Sequence, residues 1–317
     1  MTINWGILST AHINRRIIPA IQQSGRATLH AVASRDIANA QTYAKHWKIP
    51  VAYGSYENLL ANPEIDVVYI SLPNHLHTEW ILKSLDASKH VLCEKPISLN
   101  PEDIIIIEEM SRRTGKLVME GAMHLYHPQT ELWKSIISEG KLGDIHSLRS
   151  CFSFNLDRDP GNYRWDATRG GGALWDVGVY PISLFQFLLG EKPFSGLCTM
   201  YEESGIDLST SAILQYKKGV TGLFFVSFRS EYSTETIIHG QEGQLQISHP
   251  YNNADLCEAS ICFKDTIEKI NVPREYLYTG EVEAMHDWIL NGKRPAWSLA
   301  DSHSVITTIL SLRERKF

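Results

Sequence analysis

The chain has 317 residues, 43% apolar and 21% charged, a globular composition whose length exceeds one ordinary core and favours two domains. The formal net charge of −6 argues against the basic surface that a nucleic-acid backbone requires, so no nucleic-acid partner is expected. No apolar run is long enough to cross a bilayer and the N-terminus lacks the features of a signal peptide, so no membrane partner is expected.

The first 122 residues alternate between apolar runs rich in β-branched residues, which predict buried strands, and segments with helical spacing of apolar residues. Strands are predicted at 3–9, 27–34, 66–73, 90–94 and 116–122, and helices at 13–25, 36–47, 55–63, 74–89 and 101–115. Continuous apolar strands separated by helices indicate a parallel sheet covered on both faces. We therefore predict an α/β fold that begins with a Rossmann domain, a doubly wound parallel sheet, over residues 1–122.

The pattern changes in residues 123–317. A predicted helix at 128–139 is followed by long strand-rich stretches, with hairpin turns predicted at Lys218-Gly219, Glu242-Gly243 and Lys264-Asp265. Successive hairpins pair strands in the antiparallel sense. Residues 123–317 are therefore predicted to form an α+β domain with a large, open, mostly antiparallel sheet, which could pair with another subunit.

The turn after the first strand is a candidate dinucleotide-binding loop. The three glycine positions of the G-x-G-x-x-G/A fingerprint fall on Ser9, Ala11 and Asn14, so the motif alone is weak. Ser9 and Ala11 are nevertheless small, and the position between a strand and a helix suits a pyrophosphate. An ordinary βα turn is the alternative. The predicted cofactor contacts in this loop are Ser9, Thr10, Ala11, His12 and Ile13.

The end of the second strand, Ser34-Arg35-Asp36, bears on the choice between NAD and NADP. An NAD site needs an acid for the ribose 2′-hydroxyl, whereas the hydroxyl of Ser34 and the guanidinium of Arg35 suit a 2′-phosphate. A charged hydrogen bond contributes about 1.5–3 kcal/mol, which corresponds to roughly 10- to 100-fold preference for NADP. Asp36 either caps the next helix or competes for the ribose. NADP(H) is the preferred cofactor on this evidence, with NAD(H) as the alternative.

Three further motifs occur in order along the chain. Pro73-Asn74-His75-Leu76-His77 follows one predicted strand, Glu94-Lys95-Pro96 ends the next, and Gly170–Tyr180 reads GGGALWDVGVY. Together they resemble the glucose–fructose oxidoreductase, inositol dehydrogenase and MocA family over most of the chain. Tyr180, where inositol and glucose–fructose members usually have histidine, resembles the dimeric dihydrodiol dehydrogenase and NADP-dependent D-xylose dehydrogenase branch. His124 departs from the aromatic residue usual in that branch, which leaves the substrate open.

This resemblance implies an NADP-dependent oxidoreductase that moves a hydride between a nicotinamide and a hydroxyl or keto carbon. The substrate would be a sugar or cyclic polyol, either an aldose such as xylose or glucose or a trans-dihydrodiol. A free tyrosine, with a pKa of about 10, is a poor base at neutral pH, and a nearby ammonium favours its ionised form. Lys95 would thus make Tyr180 the catalytic acid/base. Asp176 would share a helix face with Tyr180 and orient one of the reacting groups.

A structural role is the alternative for each of these catalytic candidates: a surface turn at Lys95, a first-turn acid at Asp176 and a core aromatic at Tyr180. The resemblance also implies cofactor contacts from Leu72, Pro73, Asn74, His77, Glu94 and Lys95. It implies substrate contacts from His124, Tyr126, Asn155, Tyr163 and Arg164. Because Pro96 restricts the residue before it to extended conformations, the lysine side chain is expected to be aimed rather than loose. The glycines at 170–172 would let the backbone approach a ligand closely.

Two other functions remain open. A non-catalytic NAD(P)- or sugar-sensing regulator on the same scaffold is one, although such a protein has no reason to keep Lys95. A keto-sugar reductase of the 1,5-anhydrofructose type is the other. The expected partner is a small sugar or polyol, with a homodimer or homotetramer through the C-terminal sheet, since oligomers are common in the family. Five scattered cysteines without a Cys-x-x-Cys pair or a zinc pattern indicate reduced thiols, no metal and a cytoplasmic location.

Overall fold

The computed structural model describes residues 2–159, 161–252 and 254–314, and the chain divides into two compact units. The N-terminal unit consists of Met1–Tyr126 and Tyr278–Ala300, and the C-terminal unit consists of His127–Leu277 and Asp301–Phe317. The sequence analysis divided the chain after residue 122. It did not anticipate that the later segment Tyr278–Ala300 belongs to the N-terminal unit.

The N-terminal unit is built on a parallel six-stranded sheet of order β3-β2-β1-β4-β5-β6. Its strands are β1 (Ile3–Leu8), β2 (Ala27–Ala33), β3 (Val51–Tyr53), β4 (Val67–Ile70), β5 (His90–Glu94) and β6 (Val118–Gly121). Every residue of β4 and β6 is buried, as expected for strands covered on both faces. The reversal of strand order at β1 and β4 confirms the predicted doubly wound sheet.

The C-terminal unit is built on an eight-stranded sheet of order β14-β13-β12-β11-β7-β10-β9-β8. Its strands are β7 (Ile145–Asn155), β8 (Ser195–Glu203), β9 (Ile206–Gln215), β10 (Thr221–Ser227), β11 (Arg229–Gly240), β12 (Gln244–Ser248), β13 (Ala259–Cys262) and β14 (Ile267–Ile270). Only β7 and β10 pair in parallel in this sheet as described. The hairpins β9–β10, β11–β12 and β13–β14 turn where they were predicted.

Several helices begin or end at signals that the sequence provides. In chain order they are α1 (Asn14–Gln23), α2 (Ile37–Trp47), α3 (Tyr56–Leu60), α4 (His77–Asp86), α5 (Pro101–Thr114), α6 (Met123–Tyr126), α7 (Pro128–Ser138), α8 (Ala173–Asp176), α9 (Val179–Leu189), α10 (Thr279–Asn291) and α11 (Leu299–Glu314). Asn100 caps α5, Pro101 is its first residue, and Gly115 ends it in the left-handed conformation. Local chemistry therefore sets these helix ends.

Helix α10 packs within the N-terminal unit through both charged and buried contacts. Arg26 forms ion pairs with Glu283 and Asp287, and all three side chains are about one-third exposed, so solvent weakens these pairs. The indole N–H of Trp5 donates to Nε2 of His286 at 3.0 Å, and both residues are fully buried. The buried contact and the apolar residues beside it explain why a late segment completes an early domain.

The motif Gly170–Tyr180 forms two short helices rather than one. Helix α8 ends at Asp176 and α9 begins at Val179, and the two segments are bent by 54°. A Cβ on Gly178 would lie 2.5 Å from the carbonyl oxygen of Leu174, so the backbone turns back there more closely than a side chain allows. The expected shared helix face of Asp176 and Tyr180 is therefore wrong. Among the described residues no single helix is long and apolar enough to span a bilayer; only this bent pair could, by length and composition alone.

The glycines before α8 serve the packing of the chain against itself. A Cβ on Gly171 would lie 2.7 Å from the carbonyl oxygens of Arg164 and Asp166. Gly172 has a φ of 109°, and its Cβ would lie 2.2 Å from Oδ1 of Asp207. Asp207 is fully buried and accepts the backbone N–H of Leu174 at 2.7 Å, which fixes the start of α8. The close approach that these glycines permit is thus made by protein groups.

Candidate active site

The loop between β1 and α1 holds a serine in a conformation that glycine normally adopts. Ser9 has a φ of 121°, which costs a residue with a side chain about 1–3 kcal/mol. Its hydroxyl lies 2.9 Å from that of Ser71 and accepts the backbone N–H of Ala11 at 3.1 Å. Ile13 supplies no side-chain cap to α1. The loop lacks the fingerprint glycines, yet it keeps the tight turn and an uncapped helix N-terminus, which suit a pyrophosphate.

Other predicted residues of this loop contact one another or the helices beside it. The hydroxyl of Thr10 accepts a hydrogen bond from Nδ2 of Asn39 at 3.3 Å, and His12 contacts Arg15. Nδ2 of the buried Asn14 donates to the carbonyl oxygen of Ser9 at 2.9 Å. The side chain at the third fingerprint position thus holds the strained serine from the first turn of α1.

The contacts at the end of β2 show which role Asp36 has within the fold. Oδ1 of Asp36 accepts the backbone N–H of Ala38 at 2.9 Å, and Asp36 is the N-cap of α2. Arg35 is exposed, whereas Ser34 is 7% exposed and its hydroxyl accepts the N–H of Asp36 at 3.4 Å. Asp36 is therefore a helix cap, and the exposed cation at this strand end is Arg35.

His77 ties together the turns that carry two of the motifs. It is fully buried, with Nδ1 2.8 Å from the carbonyl oxygen of Pro96 and Nε2 2.7 Å from that of Leu72. Burial lowers the pKa of His77 to about 4, while both carbonyls oppose this shift and Lys95 adds to it. Both ring nitrogens face backbone carbonyls, so His77 joins the turns that carry Leu72 and Pro96, and its contact with a cofactor stays a prediction.

Glu120 fixes the same turn from the other side. Its Oε1 accepts the backbone N–H of Ile97 at 2.9 Å, and its Oε2 accepts the indole N–H of Trp297 at 3.0 Å. The Lys95–Pro96 peptide bond within this turn is cis. The peptide group between Pro96 and Ile97 is therefore held by buried side chains at both its carbonyl oxygen and its N–H, which supports the expectation that Lys95 is aimed.

The remaining predicted residues of the N-terminal unit lie around this turn or in α6. Glu94 accepts a hydrogen bond from the hydroxyl of Tyr69, a fully buried residue of β4. His124 is 1% exposed, and burial together with Lys95 lowers its pKa to about 3, so the ring is neutral at pH 7. Asn74 is 3% exposed and begins a 3₁₀ turn directly after Pro73, and Tyr126 is half-buried at the end of α6.

In the C-terminal unit, four of the predicted residues form one cluster. Nε of Arg164 lies 2.7 Å from Oδ2 of Asp176, whose side chain is only 5% exposed. The guanidinium carbon is 4.9 Å from the ring centre of Tyr163. Asp176 raises the pKa of Arg164 above its usual 12.5 against the effect of burial, and Tyr163 and Tyr180 add to the rise. Asp176 is thus paired with Arg164, which the sequence analysis had assigned to the substrate.

The ring of Tyr180 is held by two other aromatic rings. Its centre lies 5.1 Å from that of Phe152 and 5.4 Å from that of Tyr251, and these two rings stack on each other at 5.6 Å. The hydroxyl of Tyr251 is 2.5 Å from that of Ser150. Offset aromatic packing of this kind fixes ring orientation, so Tyr180 has a defined position. Asn155, by contrast, is exposed at the end of β7.

Sequence reasoning missed Tyr69, Glu120 and Tyr251. Tyr69 and Glu120 lie inside otherwise apolar strands, VVYI and VMEG. A polar group in a strand that is buried on both faces needs a partner, and this requirement was a usable signal. Tyr251 follows a strand end without such a pattern and could not have been found in this way.

Comparisons with known proteins agree with the two-unit architecture. The model of the oxidoreductase family, NAD-binding Rossmann fold, matches residues 3–122, and the GFO/IDH/MocA C-terminal domain matches residues 131–246. This chain belongs to the GFO/IDH/MocA oxidoreductase family. It is 33% identical over 315 residues to D-xylose 1-dehydrogenase (NADP(+)) 2 of Haloferax volcanii, covering 98% of this chain and 96% of that one. It is 31% identical over 254 residues to trans-1,2-dihydrobenzene-1,2-diol dehydrogenase of Macaca fuscata fuscata, covering 79% and 75%.

Solved structures of similar fold cover nearly the whole chain. A 3-ketoreductase from Actinomadura kijaniata in complex with NADP and TDP-benzene has a TM-score of 0.91 at 27% identity, covering 99% of this chain and 98% of that one. An aldose-aldose oxidoreductase from Caulobacter crescentus has a TM-score of 0.92 at 20% identity, covering 100% and 98%, which is a likeness of fold alone. The predicted family and fold class are confirmed, and the protein is an NAD(P)-dependent oxidoreductase.

Neutral, buried His124 predicts acid sensitivity. Its pKa rises from about 3 in the folded protein to about 6.5 on unfolding, so the unfolded chain takes up a proton and stability is lost as pH falls below 6.5. Replacing His124→Leu should reduce the loss of unfolding free energy between pH 7 and 4.5 by about 2–3 kcal/mol, measured by urea unfolding. The exposed His146→Leu serves as the control and should keep the wild-type loss. If His124→Leu loses as much unfolding free energy as wild type over this pH range, His124 is not the buried neutral group that causes the loss.

Proposed function

We propose that this GFO/IDH/MocA oxidoreductase is NADP-dependent and acts on a hydroxyl or keto carbon of a sugar or cyclic polyol, such as an aldose or a trans-dihydrodiol. The proposal rests on two side chains whose surroundings hold them in place. Lys95 lies in a turn held by His77 and Glu120. Tyr180 is held by aromatic rings, near the Arg164–Asp176 ion pair. The relatives named as a xylose dehydrogenase and a dihydrodiol dehydrogenase support this substrate class.

The residues of the first loop and of the end of β2 fit NADP. The uncapped start of α1 suits a pyrophosphate, and the Ser34 hydroxyl with the exposed Arg35 suits a 2′-phosphate. Asp36 caps α2 through Oδ1, which supports Arg35 over Asp36 as the group that faces the ribose 2′ position. NADP, when bound, supplies the hydride acceptor or donor at its nicotinamide.

The proton at the reacting oxygen is assigned to Tyr180. A cation favours the ionised form of a tyrosine, and we assign that role to Lys95 in the same step. Arg164 is a second cation that interacts with Tyr180, since Tyr180 contributes to its raised pKa. Asp176 acts through Arg164, which it holds at 2.7 Å, and so serves the acid/base by orienting its neighbour.

A keto-sugar reductase is a second candidate function. The 3-ketoreductase with NADP and TDP-benzene bound covers nearly all of this chain at 27% identity, and that likeness favours reduction of a keto group. The same Lys95 and Tyr180 would serve either direction, since the proton donor in one is the proton acceptor in the other. A sensor without catalysis has less support, because it needs neither group.

We place the enzyme in the cytoplasm, with its thiols reduced and outside the chemistry. Within the described residues, none of the five cysteines forms a disulfide. Cys93, directly before Glu94, is fully buried, and burial raises the pKa of its thiol well above 9, with Glu94 and Glu120 adding to the shift. Only the thiolate reacts readily, so Cys93 has no catalytic role.

We also propose that the open face of the eight-stranded sheet joins subunits into a homo-oligomer. Leu197, Ile213, Leu223, Arg149 and Ile237 pair in register across β8, β9, β10, β7 and β11 and therefore share one face. Leu197 is 63% exposed, and the other apolar members of this row are half-buried. A row of apolar side chains on a sheet face is typical of a subunit contact.

Turnover tests the catalytic assignment. With D-xylose, D-glucose and a trans-dihydrodiol as substrates with NADP, and a keto-sugar with NADPH, Tyr180→Phe and Lys95→Ala should each lower kcat at least about 100-fold. NADPH affinity should stay within about threefold, and the exposed Tyr232→Phe should behave as wild type. Wild-type turnover in Tyr180→Phe would refute its role as the acid/base. Tight NADPH binding without turnover of any of these substrates would favour the sensor.

Cofactor choice tests the role of Arg35. Fluorescence titrations should give roughly 10- to 100-fold weaker NADPH binding in Arg35→Ala, because one charged hydrogen bond to the 2′-phosphate is lost. NADH affinity should not change, and Arg112→Ala, an exposed arginine on α5, should bind both as wild type does. Equal NADPH and NADH affinity in the wild type would show that the end of β2 does not read the 2′-phosphate.

Sedimentation velocity tests the oligomer. The wild-type protein should sediment as a multiple of the 35.9 kDa chain, and Leu223→Glu should shift it toward a monomer, because a charge in an apolar interface is costly to desolvate. Ile105→Glu, at a 53% exposed apolar position on α5, is the matched control and should keep the wild-type mass. A monomeric wild type would rule out this use of the face.

A further inference from the structure

Glu281, in the first turn of α10, is a fully buried acid. Neither of its carboxyl oxygens has a hydrogen-bond partner within residues 2–159, 161–252 and 254–314. Its Oε2 lies 3.6 Å from the point that a Cβ on Gly121 would occupy, and Cα of Glu94 lies 3.6 Å from the same point. The carboxyl group is therefore packed at the carboxyl ends of β5 and β6, next to the residue that precedes Lys95.

A second buried glutamate nearby shows what a carboxylate needs at this depth. Glu120 receives the N–H of Ile97 on one oxygen and the indole N–H of Trp297 on the other. Glu281 receives neither kind of donor within the part of the chain that the structure describes. A buried carboxylate without donors is far more costly than a buried neutral acid, so Glu281 holds its proton at neutral pH.

The groups around Glu281 reinforce that state. The neighbouring elements carry several titratable residues: Tyr69 on β4, Cys93 and Glu94 on β5, Glu120 on β6, His124 on α6 and Tyr278 before α10. Lys95 follows Glu94 directly in the chain. Burial raises the pKa of Glu281 well above 4.5, and the charge of Glu94 adds to the rise. The positive end of α10 favours an ionised first-turn acid, but it does not outweigh full burial next to another carboxylate.

We propose that Glu281 is a positioning residue for Lys95. As a neutral carboxylic acid packed beside Glu94, it does not repel the Glu94 carboxylate, which therefore keeps its place directly before Lys95. This inference rests on the proposed catalytic role of Lys95. Ionisation of Glu281 would place two like charges side by side in a buried space and would disturb the position of Glu94. The turn that begins at Glu94 would lose its geometry at the same time.

A neutral Glu281 in the folded protein determines whether stability rises or falls with pH. The folded protein holds the Glu281 proton above the pH at which the unfolded chain releases it, about 4.3. The contribution of Glu281 to the free energy of unfolding is therefore fully present below that pH. It is lost as the pH rises toward the pKa that Glu281 has in the folded protein. Glutamine has nearly the same shape and cannot ionise, so Glu281→Gln removes the loss.

Melting temperatures of wild type and Glu281→Gln, measured from about pH 4 to about pH 8, test the inference without any substrate. The difference, variant minus wild type, should be smallest at about pH 4 and should rise by at least about 3 °C at about pH 8. A shift of the same size at every pH would mean that Glu281 only fills space. A lower melting temperature of the variant at pH 8 would mean that Glu281 is an ionised carboxylate. Either result overturns the proposal.

Glu283→Gln on the same helix is the matched control with the opposite sign. Burial raises the pKa of Glu283, but hydrogen bonds from Ser24 and Arg26 outweigh burial and lower it. Stability from this group is present above the unfolded pKa and lost at acid pH. Glu283→Gln should therefore melt below wild type at pH 8, and the difference should shrink as the pH falls toward 4.

The pH profile of kcat separates positioning from stability. Glu281→Gln should keep kcat within about twofold at pH 7, because it copies the neutral acid, and should lose less activity than wild type between pH 8 and 10. An alkaline limb identical to wild type would refute the positioning role even with the expected melting behaviour. Full turnover in Lys95→Ala would instead refute the proposed function, whatever the melting temperatures show.

Discussion

The N-terminal unit depends on one constraint: a lysine must follow a strand with a buried centre and still hold a fixed direction. The peptide group that follows Pro96 is held by two buried side chains, His77 at its carbonyl oxygen and Glu120 at its N–H. Each tie is itself fixed by a further contact, to Leu72 and to Trp297. Removing one partner leaves the other buried and unsatisfied, which costs more than the hydrogen bond contributes. The turn therefore has one arrangement, and departures from it are penalised at several places together.

The C-terminal unit uses buried charge in a similar way to order a segment without long secondary structure. Between β7 and α9 the chain forms short turns, and the Arg164–Asp176 pair links the first of these turns to α8. Oδ2 of Asp207 then accepts the backbone N–H of Leu174 at the start of α8, and Arg313 donates to Oδ1 at 2.8 Å. Such pairs contribute little net stability compared with apolar packing, but breaking them is expensive. Their effect is to specify one geometry for the segment that carries Tyr180.

The class of both sheets, most of their strands and three hairpin turns were predicted from the sequence because their causes act over a few residues, whereas β3 and β8 were not predicted. Asp36 shows the limit of this reasoning: its type allowed two roles, and only the 2.9 Å contact with Ala38 shows that it caps α2. The break at Gly178 was missed because it follows from a close backbone contact with Leu174, not from helix propensity. The contacts of Glu120 and the packing of Glu281 join residues that are far apart along the chain, so no local pattern predicts them. Tyr69 and Glu120 carried a signal, as polar groups in apolar strands, whereas Glu281 lies in a helix that tolerates acids at its start.

The return of Tyr278–Ala300 to the N-terminal unit has a consequence for the order of synthesis. The sheet of this unit is complete once residue 121 has been made, but the indole that holds Glu120 belongs to residue 297. On the ribosome, the turn carrying Lys95 must wait for nearly the whole chain before its last tie can form. Residues His127–Leu277 of the C-terminal unit thus lie between the two parts of the first domain along the chain, and a fragment ending at residue 126 would expose the buried surface that α10 covers. The nucleotide half of this enzyme is therefore not an independent module that can be exchanged by a simple cut.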